Sequence, residues 1–234
     1  MIFKVCILAA GTGSRMSEFS KVLNKSLIPV QGKPAICHII EKFPEDIEII
    51  IATGHLRDSL ITYLQTAYPR RKITEAVVDR YEGKGTGPGY SLLQCKHHLQ
   101  CPFIFFASDT LVREEVPEPS ENWFGVAKVP DTSRFCSADI NEEGEISRVD
   151  DKVKTDNPYA FIGLAGVKDY EYFWENLSSN ESLIAGEIQV SNGFRTLMNK
   201  NMKGRIFTWF DTGVPNSYKH ALENYPDGEG YDGN

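Results

Sequence analysis

Gly11 and Gly13, with Thr12 between them and Arg15 two residues on, are the part of this chain best equipped for chemistry. Glycines reach backbone angles closed to other residues, so successive amide N–H groups in such a loop can converge on an anion. Arg15 adds a planar, permanently charged fork suited to phosphate oxygens. Lys25 and Lys33, in the segment 24–34, supply two more cations. The loop follows the apolar run 2–8, which reads as a buried strand. A glycine-rich turn at the carboxyl end of a first parallel strand is where open α/β sheets hold phosphates. Two other glycine-loop readings fail. A dinucleotide-binding loop needs G-x-G-x-x-G, but Met16 stands at the third glycine position, where helix and strand must pack closely. No window fits G-x-x-x-x-G-K-[ST], so a P-loop is excluded. A purely structural turn would leave the grouping of Arg15, Lys25 and Lys33 unexplained.

Charge points the same way. The chain carries a formal net charge of −7, which argues against nucleic acid as a partner. Within residues 1–34, however, Lys4, Arg15, Lys21, Lys25 and Lys33 face Glu18 alone, a local +4 that leaves −11 for the remainder. A basic island in an acidic chain suits a small polyanion, although Lys4 and Lys21 fit equally well as ordinary surface lysines.

The segments 8–16 and 24–34 together resemble the signature of the sugar-phosphate and alcohol-phosphate nucleotidyltransferases, the pyrophosphorylase-like or MobA-like NTP transferase superfamily. Its members open with L-A-[AG]-G-x-G-[ST]-R-[ML], followed by a lysine shortly before leucine-proline-valine and G-K-P. Here the match runs through Leu8, Ala9, Ala10, Gly11, Thr12, Gly13 and Arg15 to Lys25 and Gly32-Lys33-Pro34. One departure is Asn24, where many members have proline. The resemblance implies an α/β fold of the nucleotide-diphospho-sugar transferase type, a Rossmann-like, mostly parallel mixed sheet flanked by helices. It also implies transfer of a nucleoside monophosphate from a triphosphate to a phosphorylated small molecule (a sugar, polyol or choline-like phosphate), with release of pyrophosphate, as in making activated precursors for surface glycans. The form of the loop resembles cytidylyltransferases first and uridylyltransferases next, so CTP is the expected donor, then UTP.

Further site residues follow from the same resemblance. Asp109, directly after the run 103–107, stands where relatives keep a magnesium-binding aspartate; the alternative is a cap on the turn before Thr110. Asp211, in Trp209-Phe210-Asp211-Thr212-Gly213, resembles the W-x-D-[TI]-G element that completes the metal site. Magnesium needs few protein carboxylates when phosphates and water complete its shell. Gly85, Thr86 and Gly87, in a second glycine-rich loop, stand where relatives read base and ribose. Lys152, in Asp151-Lys152, resembles an E-K element that contacts the acceptor phosphate. Glu187 resembles a glutamate that binds acceptor hydroxyl or ammonium groups, although a carboxylate at a helix N-terminus is an equal reading. Tyr159 and Trp209 could line the acceptor pocket or belong to the core.

The implied chemistry asks little of acids and bases. A phosphomonoester has a second pKa near ~6, so at neutral pH the acceptor oxygen is already a nucleophile. What is needed is in-line placement of two polyanions and neutralisation of growing charge on pyrophosphate. Lys25 and Arg15 are the expected catalytic cations, Lys25 at the α-phosphate and Arg15 at the β- and γ-phosphates. The five histidines show no metal-ligand spacing. Two other readings stay open: a molybdenum-cofactor-type nucleotidyltransferase, and a catalytically silent nucleotide-binding regulator on the same fold.

Positioning these residues requires alternating strands and helices. Strands are predicted at 47–53, 73–79 and 103–107, with helices at 35–43, 57–67 and 90–98, implying four or more parallel strands with right-handed crossovers. From Trp123 the pattern turns β-rich: strands at 124–129, 135–140, 146–149 and 159–167, with Asn141-Glu142-Glu143-Gly144 as a hairpin turn. Helices are predicted at 169–177, 187–199 and 216–225, and a strand at 205–210. This yields a single domain over 1–225, with a nucleotide-binding half (1–115) and an acceptor-binding half (116–225), and a disordered acidic tail at 226–234. An apolar fraction of 41% and a charged fraction of 24% suit a soluble globule. No window reaches the ~18 apolar residues of a membrane span. Five scattered cysteines without C-x-x-C, of which Cys6, Cys37 and Cys136 read as core, point to a reduced, cytoplasmic setting. A monomer or a homodimer is expected.

Overall fold

The first strand forms as β1 (Lys4–Ala9), buried at every position but Lys4. The structure, a computed structural model, describes residues 2–16, 18–180 and 182–226. After the glycine loop come a short helix α1 (Phe19–Val22), a small hairpin of β2 (Pro29–Val30) and β3 (Lys33–Pro34), and helix α2 (Ala35–Ile40). Alternation then sets in, with β4 (Ile49–Thr53), α3 (Arg57–Ala67), β5 (Ile73–Val77), α4 (Pro88–Gln94) and β6 (Phe103–Ala107). In the sheet these strands lie in the order β6-β1-β4-β5, all parallel.

The β-rich stretch resolves into β7 (Thr110–Val112), β8 (Trp123–Lys128), β9 (Cys136–Ile140), β10 (Ile146–Asp151) and β11 (Tyr159–Val167). β11 joins the two halves, pairing antiparallel with β6, β8 and β9. It can serve several partners because its register breaks between Phe161 and Ala165, where Gly163 takes a φ of 76°. A side chain there would come 2.7 Å from Ala107 Cβ, so the bend requires glycine. The chain closes with α5 (Tyr170–Ser179), a hairpin of β12 (Leu183–Ile184) and β13 (Glu187–Ile188), α6 (Ser191–Phe194), β14 (Lys203–Ile206), β15 (Trp209–Asp211) and α7 (Pro215–Asn224).

Helices cover both faces of the parallel strands. Val5, Ile7, Ile49, Ile51, Ile104 and Phe106 pack on one side with α2 and with Leu60 and Leu64 of α3. Cys6, Leu8, Ile50, Phe103 and Phe105 pack on the other with Leu92 of α4 and Phe173 and Trp174 of α5. Successive side chains point to opposite faces, so burial on both sides needs the unbroken apolar runs seen in the sequence. No helix among the described residues is long and apolar enough to cross a membrane.

Three expectations need correction or fall outside view. Residues 187–199 do not form one helix: Glu187 and Ile188 pair with Ile184 and Leu183 as a β-hairpin, and helical turns begin only at Ser191. The predicted strand 205–210 is two strands in different sheets, β14 beside β8 and β15 beside β7, with the chain turning at Phe207-Thr208. There the Glu114 carboxylate accepts the Thr208 N–H and hydroxyl, ending the first ladder. The expected disordered tail lies outside the described residues except for Pro226.

Candidate active site

The glycine loop leaves the carboxyl end of β1 between the ends of β4 and β6, the edge where a parallel sheet presents its loops to a ligand. Gly13 has a φ of 64°, and a Cβ on it would stand 3.1 Å from Lys25 Cβ. Glycine thus lets the loop turn and lie directly on the Lys25 stem. Asn24 holds that stem. Its side chain, fully buried, donates from Nδ2 to the carbonyls of Ala9 (3.1 Å) and His55 (2.7 Å). Its Oδ1 accepts the N–H of Ser26 (3.0 Å) and the Ser26 hydroxyl (2.6 Å), capping the tight turn Lys25–Leu27. One amide therefore ties together β1, the loop after β4 and the turn that carries Lys25.

Asp109 sits between β6 and β7, and Asp211 ends β15. Because β15 runs antiparallel to β7, with Asp211 opposite Thr110, residues about a hundred apart in sequence become neighbours. The Asp109 carbonyl accepts the Thr212 N–H (2.9 Å), which fixes the crossing. Gly213 measures how closely the carboxylates approach: the point where its Cβ would stand is 2.8 Å from Asp109 Oδ2 and 3.0 Å from Asp211 Oδ1. Asp211 is oriented by the Gly213 N–H (2.8 Å) and the Ser217 hydroxyl (2.9 Å). The Lys25 ammonium lies 2.7 Å from Asp109 Oδ2.

This crowding separates the two acids. Burial alone would raise Asp109, but the Lys25 ammonium and, more weakly, Arg15 hold its carboxyl below the usual range. Asp211 is pushed up, first by burial and then by the Asp109 charge beside it. Two hard carboxylate oxygens brought this near to one another suit a divalent cation such as magnesium. Among the described residues no group of three or more His, Cys, Asp or Glu side chains is placed to hold a metal. The pair would therefore depend on substrate phosphates and water for its remaining ligands.

A cleft of about 840 Å³ runs from the glycine loop past this pair to the β9–β11 side of the sheet. Leu8, Ala10, Gly11, Thr12, Gly13, Arg15, Lys25, Thr86, Gly87, Asp109, Lys152, Glu187, Trp209 and Asp211 all line it. Ala9, Gly85, Tyr159 and Lys33 do not. Ala9 is fully buried beneath the loop. Tyr159 packs with the core on the α5 side of the sheet. Lys33 pairs with Glu41 at 2.5 Å on the surface, away from the cleft. Cys136, expected in the core, is only half-buried and lines the cleft, whereas Cys95 is fully buried.

The second glycine loop is stitched to the β12–β13 hairpin. Gly85 N–H donates to the Gly186 carbonyl (2.9 Å), and Ile188 N–H donates to the Thr86 carbonyl (2.8 Å). Thr86 is itself buried, its hydroxyl donating to the Gly83 carbonyl at 2.7 Å. A Cβ on Gly87 would stand 2.7 Å from Glu187 Cβ, so this glycine serves the contact with the hairpin. Glu187 Oε2 accepts from Gln189 Nε2 (2.9 Å) and lies 3.5 Å from Lys152 Nζ, bringing two expected acceptor residues together. Beside them Ser191 donates to Asp151 Oδ2, while Asp151 Oδ1 and Trp209 Nε1 are buried and, among the described residues, without a hydrogen-bond partner. Both groups line the cleft.

Asn24, Tyr81, Arg134, Phe135, Phe161, Gln189 and Ser191 were not legible as site residues. For Asn24 a signal existed: asparagine directly before a short turn is a preferred cap. The cleft residues from β9, β11 and the segment after β13 carry no local pattern, since only the sheet order brings them together.

Residues 5–116 match the family model described as the MobA-like NTP transferase domain. The chain is 27% identical over 224 residues to the "Bifunctional protein GlmU" of Methanococcus vannielii, a match covering 89% of this chain and 51% of that protein. It thus spans about half the length of that relative. Among solved structures, a UDP-glucose pyrophosphorylase complexed with UDP-glucose aligns with a TM-score of 0.80 at 21% identity, covering 95% of this chain and 98% of the other. An apo UDP-glucose pyrophosphorylase aligns with a TM-score of 0.79 at 20% identity, covering 94% of this chain and 97% of the other.

Proposed function

From the match of residues 5–116 to the MobA-like NTP transferase domain and the likeness to GlmU, we propose that the chain transfers a nucleoside monophosphate from a pyrimidine triphosphate to a sugar phosphate, releasing pyrophosphate. The observation that carries this reading is the convergence, in one cleft, of the glycine loop, Arg15, Lys25 and the Asp109–Asp211 pair. The solved relative bound to UDP-glucose supports UTP ahead of CTP as donor.

In this reading the loop amides of residues 10–13 and Arg15 bind the β- and γ-phosphates, and Lys25 binds the α-phosphate and the charge that develops there. Asp109 and Asp211 would hold magnesium, which supplies charge neutralisation between the reacting phosphates. Thr86 and Gly87 border the base and ribose, with Gly85 supporting the loop from outside the cleft through its bond to Gly186. Lys152, Glu187, Asp151 and Trp209 face the acceptor, whose phosphate is its own nucleophile, so no side chain has to remove a proton. Burial at the cleft floor strengthens each of these contacts relative to water.

The test is a pyrophosphate-release screen that crosses UTP, CTP, GTP and ATP with hexose 1-phosphates, polyol phosphates and phosphocholine. Release is expected only with triphosphate, acceptor and magnesium all present. Equal release from triphosphate alone would identify a hydrolase and overturn the reading. Arg15→Ala should chiefly raise the Michaelis constant for triphosphate, whereas Lys25→Ala should chiefly lower kcat.

A further inference from the structure

Lys25 does not project freely toward the place a phosphate would occupy; its ammonium is already seated on Asp109. The oxygen it holds, Oδ2 at 2.7 Å, is also the one turned toward Asp211, since it lies 2.8 Å from the point beside Gly213 that Asp211 Oδ1 approaches to 3.0 Å. The side chains of Lys25 and Asp109 are each only 17% exposed, so solvent ions screen the pair poorly. The stem cannot easily withdraw, because Gly13 lies against it and Asn24 pins the turn it grows from.

We propose that Lys25 is a specificity-determining residue that makes the carboxylate pair accept a divalent cation as its triphosphate complex in preference to the free ion. The inference rests on the nucleotidyltransferase reading of the site. With Lys25 in place the two carboxylates present one net negative charge to an arriving cation, and the ammonium opposes it at close range. A triphosphate changes the balance, because its oxygens offer Lys25 a new anionic partner as the ion reaches Asp109. Free metal has no such compensation. By Coulomb's law at the effective dielectric of a partly buried site, one unit charge at ~4 Å alters affinity by at least tenfold. The consequence runs against the usual effect of deleting a site residue: removing the lysine should tighten the binding of metal alone.

Manganese(II) is the probe, its free concentration followed by electron paramagnetic resonance without nucleotide at neutral pH. Lys25→Met, which preserves the apolar stem, should bind Mn²⁺ about tenfold or more tightly than the native chain. Lys25→Arg, which keeps the charge, should match the native chain within about threefold. Lys25→Gln supplies a second neutral side chain should methionine disturb folding, which circular dichroism would reveal. Adding UTP should shrink or reverse the advantage of the neutral variants. If Lys25→Met and Lys25→Gln, both folded, bind Mn²⁺ no more tightly than the native chain, the proposal is overturned. The parent reading fails differently: Asp109→Asn would then leave Mn²⁺ binding unchanged in the Lys25→Met background.

Discussion

Replacing Asn24 by alanine removes one small polar side chain and should cost this protein a large share of its stability. Four hydrogen bonds meet on that side chain, and it is fully buried. Loss of the cap on Lys25–Leu27 is worth ~1 kcal/mol. Each carbonyl left without its donor, Ala9 and His55, adds ~1–3 kcal/mol if water cannot reach it. The total comes to about 3–7 kcal/mol, and for a chain of this size each kcal/mol lowers the melting temperature by ~2–4 °C. Asn24→Ala should therefore melt roughly 10–20 °C below the native chain. Asn24→Ser, whose hydroxyl can still cap, should lose about two-thirds as much. Intrinsic fluorescence of Trp123, Trp174 and Trp209 during a thermal ramp measures both. Pyrophosphate release at a temperature where the variants remain folded should fall as well, because Lys25 is the next residue. Melting of Asn24→Ala within ~2 °C of the native chain, with full turnover, would refute the idea that this amide is a structural hub.

Asp211 supplies a prediction with a definite sign. Burial and the Asp109 charge raise its carboxyl, so stability tied to its protonated form is complete below the ordinary aspartate value of ~4 and is lost as pH rises through the raised native value. Asp211→Asn should consequently melt above the native chain at neutral pH while losing pyrophosphate release, and the gain should disappear toward acid; scanning calorimetry at two pH values decides it. Asp109→Asn and Asp211→Asn should each cripple turnover, with the double variant little worse than either, as for groups that act as a unit. Gly87→Ala must place a Cβ 2.7 Å from that of Glu187 at a φ of 109°. It should raise the Michaelis constants for triphosphate and acceptor together, and a change confined to one substrate would argue against a shared support.

Legibility in the sequence followed the range of the forces involved. The central parallel strands were readable because burial on both faces demands uninterrupted apolar residues, and α3 was readable from the spacing of Leu60 and Leu64. The glycine loop at the mouth of the cleft was readable because Gly11, Gly13 and Arg15 stand together in a few residues. Residues 187–199 misled because Val190, Phe194 and Leu197 are spaced i, i+4, i+7 as on one helix face, whereas the backbone of Glu187 and Ile188 pairs with β12 and with the second glycine loop. The run 205–210 misled because alternation says nothing of which strand is the partner, and here the partner changes at Thr208. The seating of Lys25 on Asp109 depends on where β6 and the Lys25 turn meet, 84 residues apart in the chain. No local pattern encodes such a meeting.

The bonds from Gly85 to Gly186 and from Ile188 to Thr86 bear on how this cleft could be re-engineered or diversify. A graft that imported only another protein's loop in place of residues 83–91 would discard half of each bond and set a new backbone against Glu187. A graft of the hairpin alone would meet the same obstacle from the other side. The smallest portable module is therefore discontinuous, residues 83–91 together with 183–191, moved as a matched set. The two segments are thereby yoked, and with them, on the proposed function, donor and acceptor preference: a drift in one segment is tolerated only when the other drifts with it.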